Sequence, residues 1–264
     1  SYLDKKGFPL YRDSSAQYFA DGGDFFRDLI EHLKQAEVYI FMEYYILAEG
    51  KVWDEIFKVL KERASAGVEV CVIFDDFGNL TRLSDDTLQE MQSAGIEVQV
   101  FNPVHRYVNR IYFNYRDHRK ITVIDGVWAY TGGVNIADEY ANLYVRFGHW
   151  KDTGVRIEGE GAWGFAQQFM HMWKMMGRTL PNEDDYYRAR GHHVLERGSG
   201  FCQPFTDGPL NNPDNPIEET YLQLIDSAKQ MLYITTPYYA VEESMQKALC
   251  MAADGGVDVR LLVP

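Results

Sequence analysis

Between residues 117 and 135 the chain reads DHRKITVIDGVWAYTGGVN. An imidazole, an ammonium, a carboxylate, two glycines and a carboxamide fall at close spacing within strand-like, β-branched sequence. Side chains at i and i+2 of a strand share a face, so His118 and Lys120 project together. Asp125-Gly126 is a preferred two-residue turn. A turn of that length pairs Ile124 with Val127, Lys120 with Thr131 and His118 with Gly133. Gly132 and Gly133 then lie opposite the histidine, where absent side chains leave room for a substrate to approach. Asn135 lies just beyond and offers an amide donor to the same pocket. Such groups suit attack at phosphorus. A neutral histidine is a competent nucleophile, while lysine and asparagine stabilise charge building on the equatorial oxygens. Cations and dipoles that do this work call for no metal and no cofactor. Asp125, in the turn, is better placed to stiffen the hairpin than to react.

The charge around this stretch is local. The chain has 264 residues, with 26 Lys and Arg against 39 Asp and Glu, a net charge of −13. Residues 105–120 (HRYVNRIYFNYRDHRK) hold four arginines and one lysine against one aspartate, +4, which leaves −17 for the rest. An acidic body argues against a general nucleic-acid coat. One basic, aromatic-studded segment on it suggests a localised anion site. Cys71, Cys202 and Cys250 form no C-x-x-C pair and read as buried thiols of a reducing compartment. His192 and His193 would diverge in an extended segment, no H-E-x-x-H occurs, and the pair reads as surface or loop histidines.

The elements that must carry these residues alternate between helix and strand. Apolar spacing predicts helices over about 25–35, 53–66 and 84–93, with strands over 37–47, 68–74 and 96–101. This alternation predicts an α/β domain with a largely parallel sheet. Glu43, Asp75 and Asp76 fall near strand C-terminal ends, where they either line a ligand pocket or cap turns. A further helix over 161–177 carries a core stripe of Ala162, Ala166, Phe169, Trp173 and Met176. Its Trp163, Met170 and Met172 widen the apolar surface enough to allow membrane contact. No window reaches the roughly 18 apolar residues a spanning helix requires, and no basic-then-apolar leader is visible.

An internal repeat organises the chain. KQAEVYIFMEYYI (34–46) returns as KQMLYITTPYYA (229–240), and GVEVCVIFD (67–75) returns as GVDVRLLVP (256–264). A turn-rich stretch, 197–216, separates the copies. The expected division is a first domain over 1–197 and, over 198–264, a connection plus the start of a second copy. His118 lies 50 residues after Val68; the same step from Val257 reaches about residue 307, so the second copy would stop before its own version of the opening stretch.

His118-x-Lys120-(x4)-Asp125-(x6)-Gly132-Gly133-x-Asn135 resembles the HxKxxxxD motif of the phospholipase D superfamily, with its following glycine and asparagine positions. GGVNIADEY (132–140), HWKDTGVRIEG (149–159) and ITTPYY (234–239) resemble bacterial cardiolipin synthases of the two-motif type, so the likeness covers most of the chain. The resemblance implies a phospholipase D-like α/β fold: a mixed, largely parallel sheet flanked by helices, then the start of a second pseudo-repeat. It implies a catalytic set of His118, Lys120, Asp125 and Asp152, with His118 forming a phosphohistidine. His118, Lys120, Gly132, Gly133 and Asn135 would hold the phosphate. Asp152, in WKDT, matches the acid that hydrogen-bonds the histidine; an ion pair with Lys151 or Arg156 is the plainer reading.

The implied reaction is phosphatidyl transfer, making cardiolipin from two phosphatidylglycerols at a membrane surface, on the cytoplasmic side, without cofactor or nucleic acid. Hydrolysis by water and cleavage of nucleic-acid phosphodiesters are the alternatives within the superfamily. The second histidine would belong to a missing C-terminal half, and a membrane anchor would lie outside this chain. The chain alone is then expected to be inactive.

Overall fold

The computed structural model of the chain describes residues 2–104, 115–145, 148–180, 182–193, 198–208 and 215–263. Contacts divide it into two compact units, Ser1–Pro204 and Phe205–Pro264.

The first unit opens with a short helix, α1 (Tyr2–Lys5), and a mostly exposed strand, β1 (Tyr11–Phe19). Asp21 then caps α2 (Gly22–Leu33), accepting from the N–H of Gly23 at 2.8 Å. The apolar stripe of α2, Phe25, Phe26, Leu29, Ile30 and Leu33, is buried, as its 3.6-residue spacing requires. Next come β2 (Tyr39–Tyr44), α3 (Lys51–Ser65) and β3 (Glu69–Asp75). The N-terminus of α3 is capped from a distance: Asp138 accepts from Lys51 N at 3.1 Å and Val52 N at 2.9 Å. After the one-turn α4 (Asp76–Asn79), Ser84 caps α5 (Asp85–Ser93), which leads into β4 (Glu97–Phe101). The site-bearing hairpin follows as β5 (Lys120–Ile124) and β6 (Trp128–Gly132). β7 (Gly154–Gly159), α6 (Glu160–Met175), α7 (Glu183–Arg188) and β8 (Gly200–Cys202) complete the unit.

These strands form one mixed sheet in the order β4-β3-β2-β5-β6-β7-β1-β8. Its parallel part is β4-β3-β2, joined by the crossovers α3 and α5; from β2 to β8 every neighbour is antiparallel. β5 starts at the edge where β4 and β2 end, so it runs antiparallel to β2, Tyr44 opposite Lys120.

Strand alternation sends side chains to two separate cores. Ile40, Met42, Val70 and Val72 meet α2 and α3, while Tyr39, Phe41, Cys71 and Ile73 meet α6. This is why β2 is buried at every position. On the α6 side Phe41 stacks on Phe169 at 4.5 Å between ring centroids, and Phe169 stacks on Trp173. Fully burying each such side chain contributes about 1.5–3 kcal/mol.

Three expectations change here. Val127 N–H closes the hairpin turn onto Ile124 O at 3.0 Å, but Ile124 faces Trp128 and Ile121 faces Thr131. Val127 is an extra residue whose carbonyl accepts from Gly159 on the next strand, so the ladder is shifted by one from a plain two-residue hairpin. Trp163, Met170 and Met172 are 9%, 1% and 1% exposed and pack in the α6-side core, so these three side chains do not form a membrane-contact surface. Cys71 is buried, but Cys202 is only half-buried and Cys250 is exposed.

In the second unit, α8 (Pro216–Ser227) precedes β9 (Met231–Thr235), α9 (Glu243–Asp254) and β10 (Asp258–Leu262). β9 and β10 are parallel, as β2 and β3 are, so both repeat segments fold as strand–helix–strand units. Their registers differ by two residues: Tyr39 faces Glu69, whereas Met231 faces Asp258. No helix among the described residues is long and apolar enough to cross a membrane.

Candidate active site

β2 ends and β5 begins at the same edge of the sheet, and the opening motif sits there. Tyr45 N–H bonds Arg119 O at 3.2 Å, extending the β2–β5 ladder by one step towards His118. His118 is exposed at this edge. Its ring packs on the Tyr45 ring, with centroids 4.8 Å apart. The Lys120 ammonium lies 5.5 Å from the centre of the same tyrosine ring and donates to His118 O at 2.6 Å. The structure therefore brings His118 and Lys120 together, with Tyr45 as the surface between them. Tyr45 itself was not singled out by sequence reasoning; the signal available was the reuse of Tyr44-Tyr45 as Tyr238-Tyr239 in the repeat.

Electrostatics distinguish the two groups. Desolvation by the surrounding walls and the nearby Lys120 charge hold the His118 pKa below the ordinary histidine value, against the pull of Asp117. Lys120 is almost fully buried, and burial pushes it down to about 8 in spite of Asp117 and Asp152. At neutral pH this leaves an uncharged imidazole beside a cation.

The glycine pair works differently from the expectation. A Cβ on Gly133 would lie 2.2 Å from Asp152 Oδ1, and one on Gly132 would lie 2.4 Å from Thr153 O. Gly132 also has φ +151°, outside the range side chains favour. The space they leave is filled by residues 152–153, whose chain is tied to Gly133 N–H through Thr153 O at 3.1 Å. The glycines thus seat Asp152 against the hairpin. Its carboxylate accepts from Thr153 N at 2.8 Å and from the Trp150 indole, and burial raises its pKa. Among the described residues no hydrogen bond joins it to His118.

Asn135 is buried, its carbonyl accepting from Ile46 N at 3.0 Å and its amide donating to Tyr140 Oη at 2.8 Å. One amide hydrogen is left for a ligand by the chemistry of the group. Asp125 stands at the other end of β5. Fully buried, it accepts from the N–H groups of Glu37 (2.7 Å), Val38 (3.0 Å) and Tyr39 (2.7 Å). His193 Nε2 lies 2.7 Å from its remaining side and packs edge-on to Trp128, so this histidine is a partner of the motif.

Beneath His118 lies a layer of buried ions. Arg119 donates to Glu43 at 2.9 Å, Arg116 to Asp75 at 3.4 Å, and Asp117 N–H to Asp75 at 2.9 Å. Asp75 also caps α4, and Asp76 accepts from Val104 N at 2.6 Å. Two cations of the basic segment are therefore bonded to internal carboxylates. Arg106 and Arg110 lie outside the described residues. No group of three or more His, Cys, Asp or Glu side chains among the described residues is arranged to hold a metal ion.

With this geometry in place, the likeness to known proteins becomes specific. Residues 29–173 match the family described as cardiolipin synthase, PLD-like domain. The chain belongs to this family. It is 34% identical over 256 residues to a cardiolipin synthase of Geobacillus kaustophilus, covering 97% of this chain and 50% of that protein. A major cardiolipin synthase of Bacillus subtilis is 31% identical over 257 residues, 96% of this chain and 52% of its own length. An uncharacterized protein of Streptococcus mutans is 39% identical over all 264 residues and 56% of its own length. The chain thus spans about half the length of the curated relatives it matches. Among solved structures, the phosphatidylserine synthase of Haemophilus influenzae superposes with a TM-score of 0.67 at 15% identity, over 99% of this chain and 64% of that one. That likeness establishes the phospholipase D-type fold of this cardiolipin synthase-like domain.

Proposed function

We propose that the chain is the first catalytic half of a phosphatidyltransferase that makes cardiolipin from two phosphatidylglycerols. The observation that carries this reading is the pairing of a neutral, exposed His118 with a buried Lys120 cation on one tyrosine face. In the first step an imidazole nitrogen of His118 attacks phosphorus and the P–O bond to the leaving glycerol breaks. The resulting phosphatidyl-histidine is then attacked by a hydroxyl of the second lipid, whose proton passes to the group that protonated the leaving glycerol; the P–N bond breaks and neutral His118 returns. Lys120 and the remaining amide hydrogen of Asn135 stabilise the equatorial oxygens, and Asp152 compensates charge on the site as it forms.

The leaving alkoxide needs a proton donor. We assign it to a second histidine beyond residue 264, in keeping with relatives about twice this length. The substrates then lie at a membrane surface, and the chain alone turns over no lipid. Phospholipase D-type hydrolysis differs only in water replacing the acceptor hydroxyl.

Incubation of the full-length enzyme with phosphorus-labelled phosphatidylglycerol, quenched in alkaline denaturant after a short delay, tests the proposal. A base-stable, acid-labile phosphoryl adduct should form on the protein and be absent from His118→Ala. Lipid transfer without any adduct, or an adduct that survives in His118→Ala, would overturn it. An adduct formed equally from an oligonucleotide would favour the nuclease alternative.

A further inference from the structure

The residue before His118 makes an unusual contact. Asp117 is 2% exposed and Glu43, at the end of β2, is 0% exposed, and the two carboxyl groups face each other. Glu43 Oε1 accepts from Arg119 Nη1 at 2.9 Å, and Asp117 Oδ1 accepts from Arg119 N at 3.2 Å. The other oxygen of each, Glu43 Oε2 and Asp117 Oδ2, is buried with no hydrogen-bond partner among the described residues. Two acceptors in contact cannot satisfy each other, and a buried carboxylate oxygen left unbonded is costly. One proton placed between them satisfies both at once.

We propose that Glu43 and Asp117 share a single proton, borne by Glu43, and that this acid pair is the positioning device that fixes His118 at the edge of the sheet. Burial and the facing Asp117 both raise the Glu43 pKa well above the carboxylate range, Arg119 opposing. With one proton the group of Glu43, Asp117 and Arg119 is neutral overall. Among the described residues, Arg116 pairs with Asp75, Asp75 accepts from the Asp117 N–H, and Lys120 is the further cation that the Asp117 charge reaches, with Asp152 acting on the same ammonium. On the sheet itself Glu43 is flanked by Ile73 and Ile121, which offer it no bond. The pair rests only on His118 as the reacting group, whatever phosphoester it serves.

The position of the charge gives an asymmetric test on the isotopically labelled chain. The negative charge of Asp117 raises the His118 pKa, so Asp117→Asn should lower the His118 titration midpoint read by NMR. Glu43→Gln replaces a neutral acid by a neutral amide that still donates to Asp117, and should leave that midpoint in place. Glu43→Leu, which cannot bond, should displace the His118 ring resonances, and Glu43→Gln should restore them. Infrared spectra of the wild type at pH 7 should contain a buried carboxylic-acid carbonyl band that Glu43→Gln abolishes. An equal fall in midpoint for Glu43→Gln and Asp117→Asn would mean that both groups are ionised and would overturn the proposal. So would the absence of that band, or unmoved His118 resonances in Glu43→Leu. The readout is the His118 ring, so this outcome is separate from that of the lipid adduct.

Discussion

At the scale of single residues, His118 and Lys120 set opposite limits on the working pH. The proposed reaction needs His118 neutral, which holds above a pKa that lies below the ordinary value, and Lys120 charged, which holds below about 8. Full-length enzyme should therefore show a bell-shaped kcat/KM profile with its alkaline limb near 8. Lys120→Arg keeps the charge at all pH values and should remove that limb, whereas Lys120→Ala should lower kcat/KM at least about 100-fold, the scale of one lost oxyanion contact. Gly133→Ala tests the other new role. Its Cβ lands on Asp152 Oδ1, so activity should fall at least tenfold (about 1.4 kcal/mol). The same substitution should do much less harm on an Asp152→Ala background, which a double-mutant cycle would reveal. The histidine and lysine were legible in the sequence because i and i+2 on a strand suffice to place them. The purpose of the glycines was not legible, because what fills their space arrives from 20 residues further along the chain.

At the scale of elements, the hairpin is held at both ends by different chemistry. Asp125 grips three N–H groups at the start of β2 and faces His193. Asp125→Ala would leave these buried donors unpaired at about 1–3 kcal/mol each, so chemical denaturation should show a loss of at least ~3 kcal/mol. Most of the parallel half of the sheet was readable, since β2, β3 and α3 carry strong apolar patterns. The hairpin register was not, because an Asp-Gly turn and the same turn followed by a bulge at Val127 have the same sequence signature. β1 was unreadable for another reason: only Ser14 and Phe19 of its nine residues are buried, so no alternation marks it.

At the scale of the whole molecule, apolar composition alone misdirects. The Met- and Trp-rich α6 looks fit for a membrane but fills one of the two cores. Met170→Ala should cost about 2–5 kcal/mol in unfolding experiments and leave association with phosphatidylglycerol vesicles unchanged in flotation assays. The two units also differ in how much they bury. In the first, β2 is covered on both faces; in the second, Met231, Tyr233, Leu261 and Leu262 remain exposed on a two-stranded sheet. A two-stranded sheet that leaves these side chains uncovered gains little from burial. Amide hydrogen exchange should therefore be faster in β9 and β10 than in β2 by at least two orders of magnitude, each factor of ten being about 1.4 kcal/mol of opening free energy. The repeat was visible in the sequence. How little its second copy can bury alone depends on partners that a sequence match does not count.

The remote seat of Asp125 has a consequence for genetics. On the proposed function, a screen that scores only phospholipid product should group loss of Asp125 with loss of His118. Counting soluble protein in the same cells should divide them: His118 alleles accumulate at normal level, while Asp125 alleles are degraded and become temperature-sensitive. One motif would then yield two phenotypic classes, and only the first could be dominant by occupying substrate or partners.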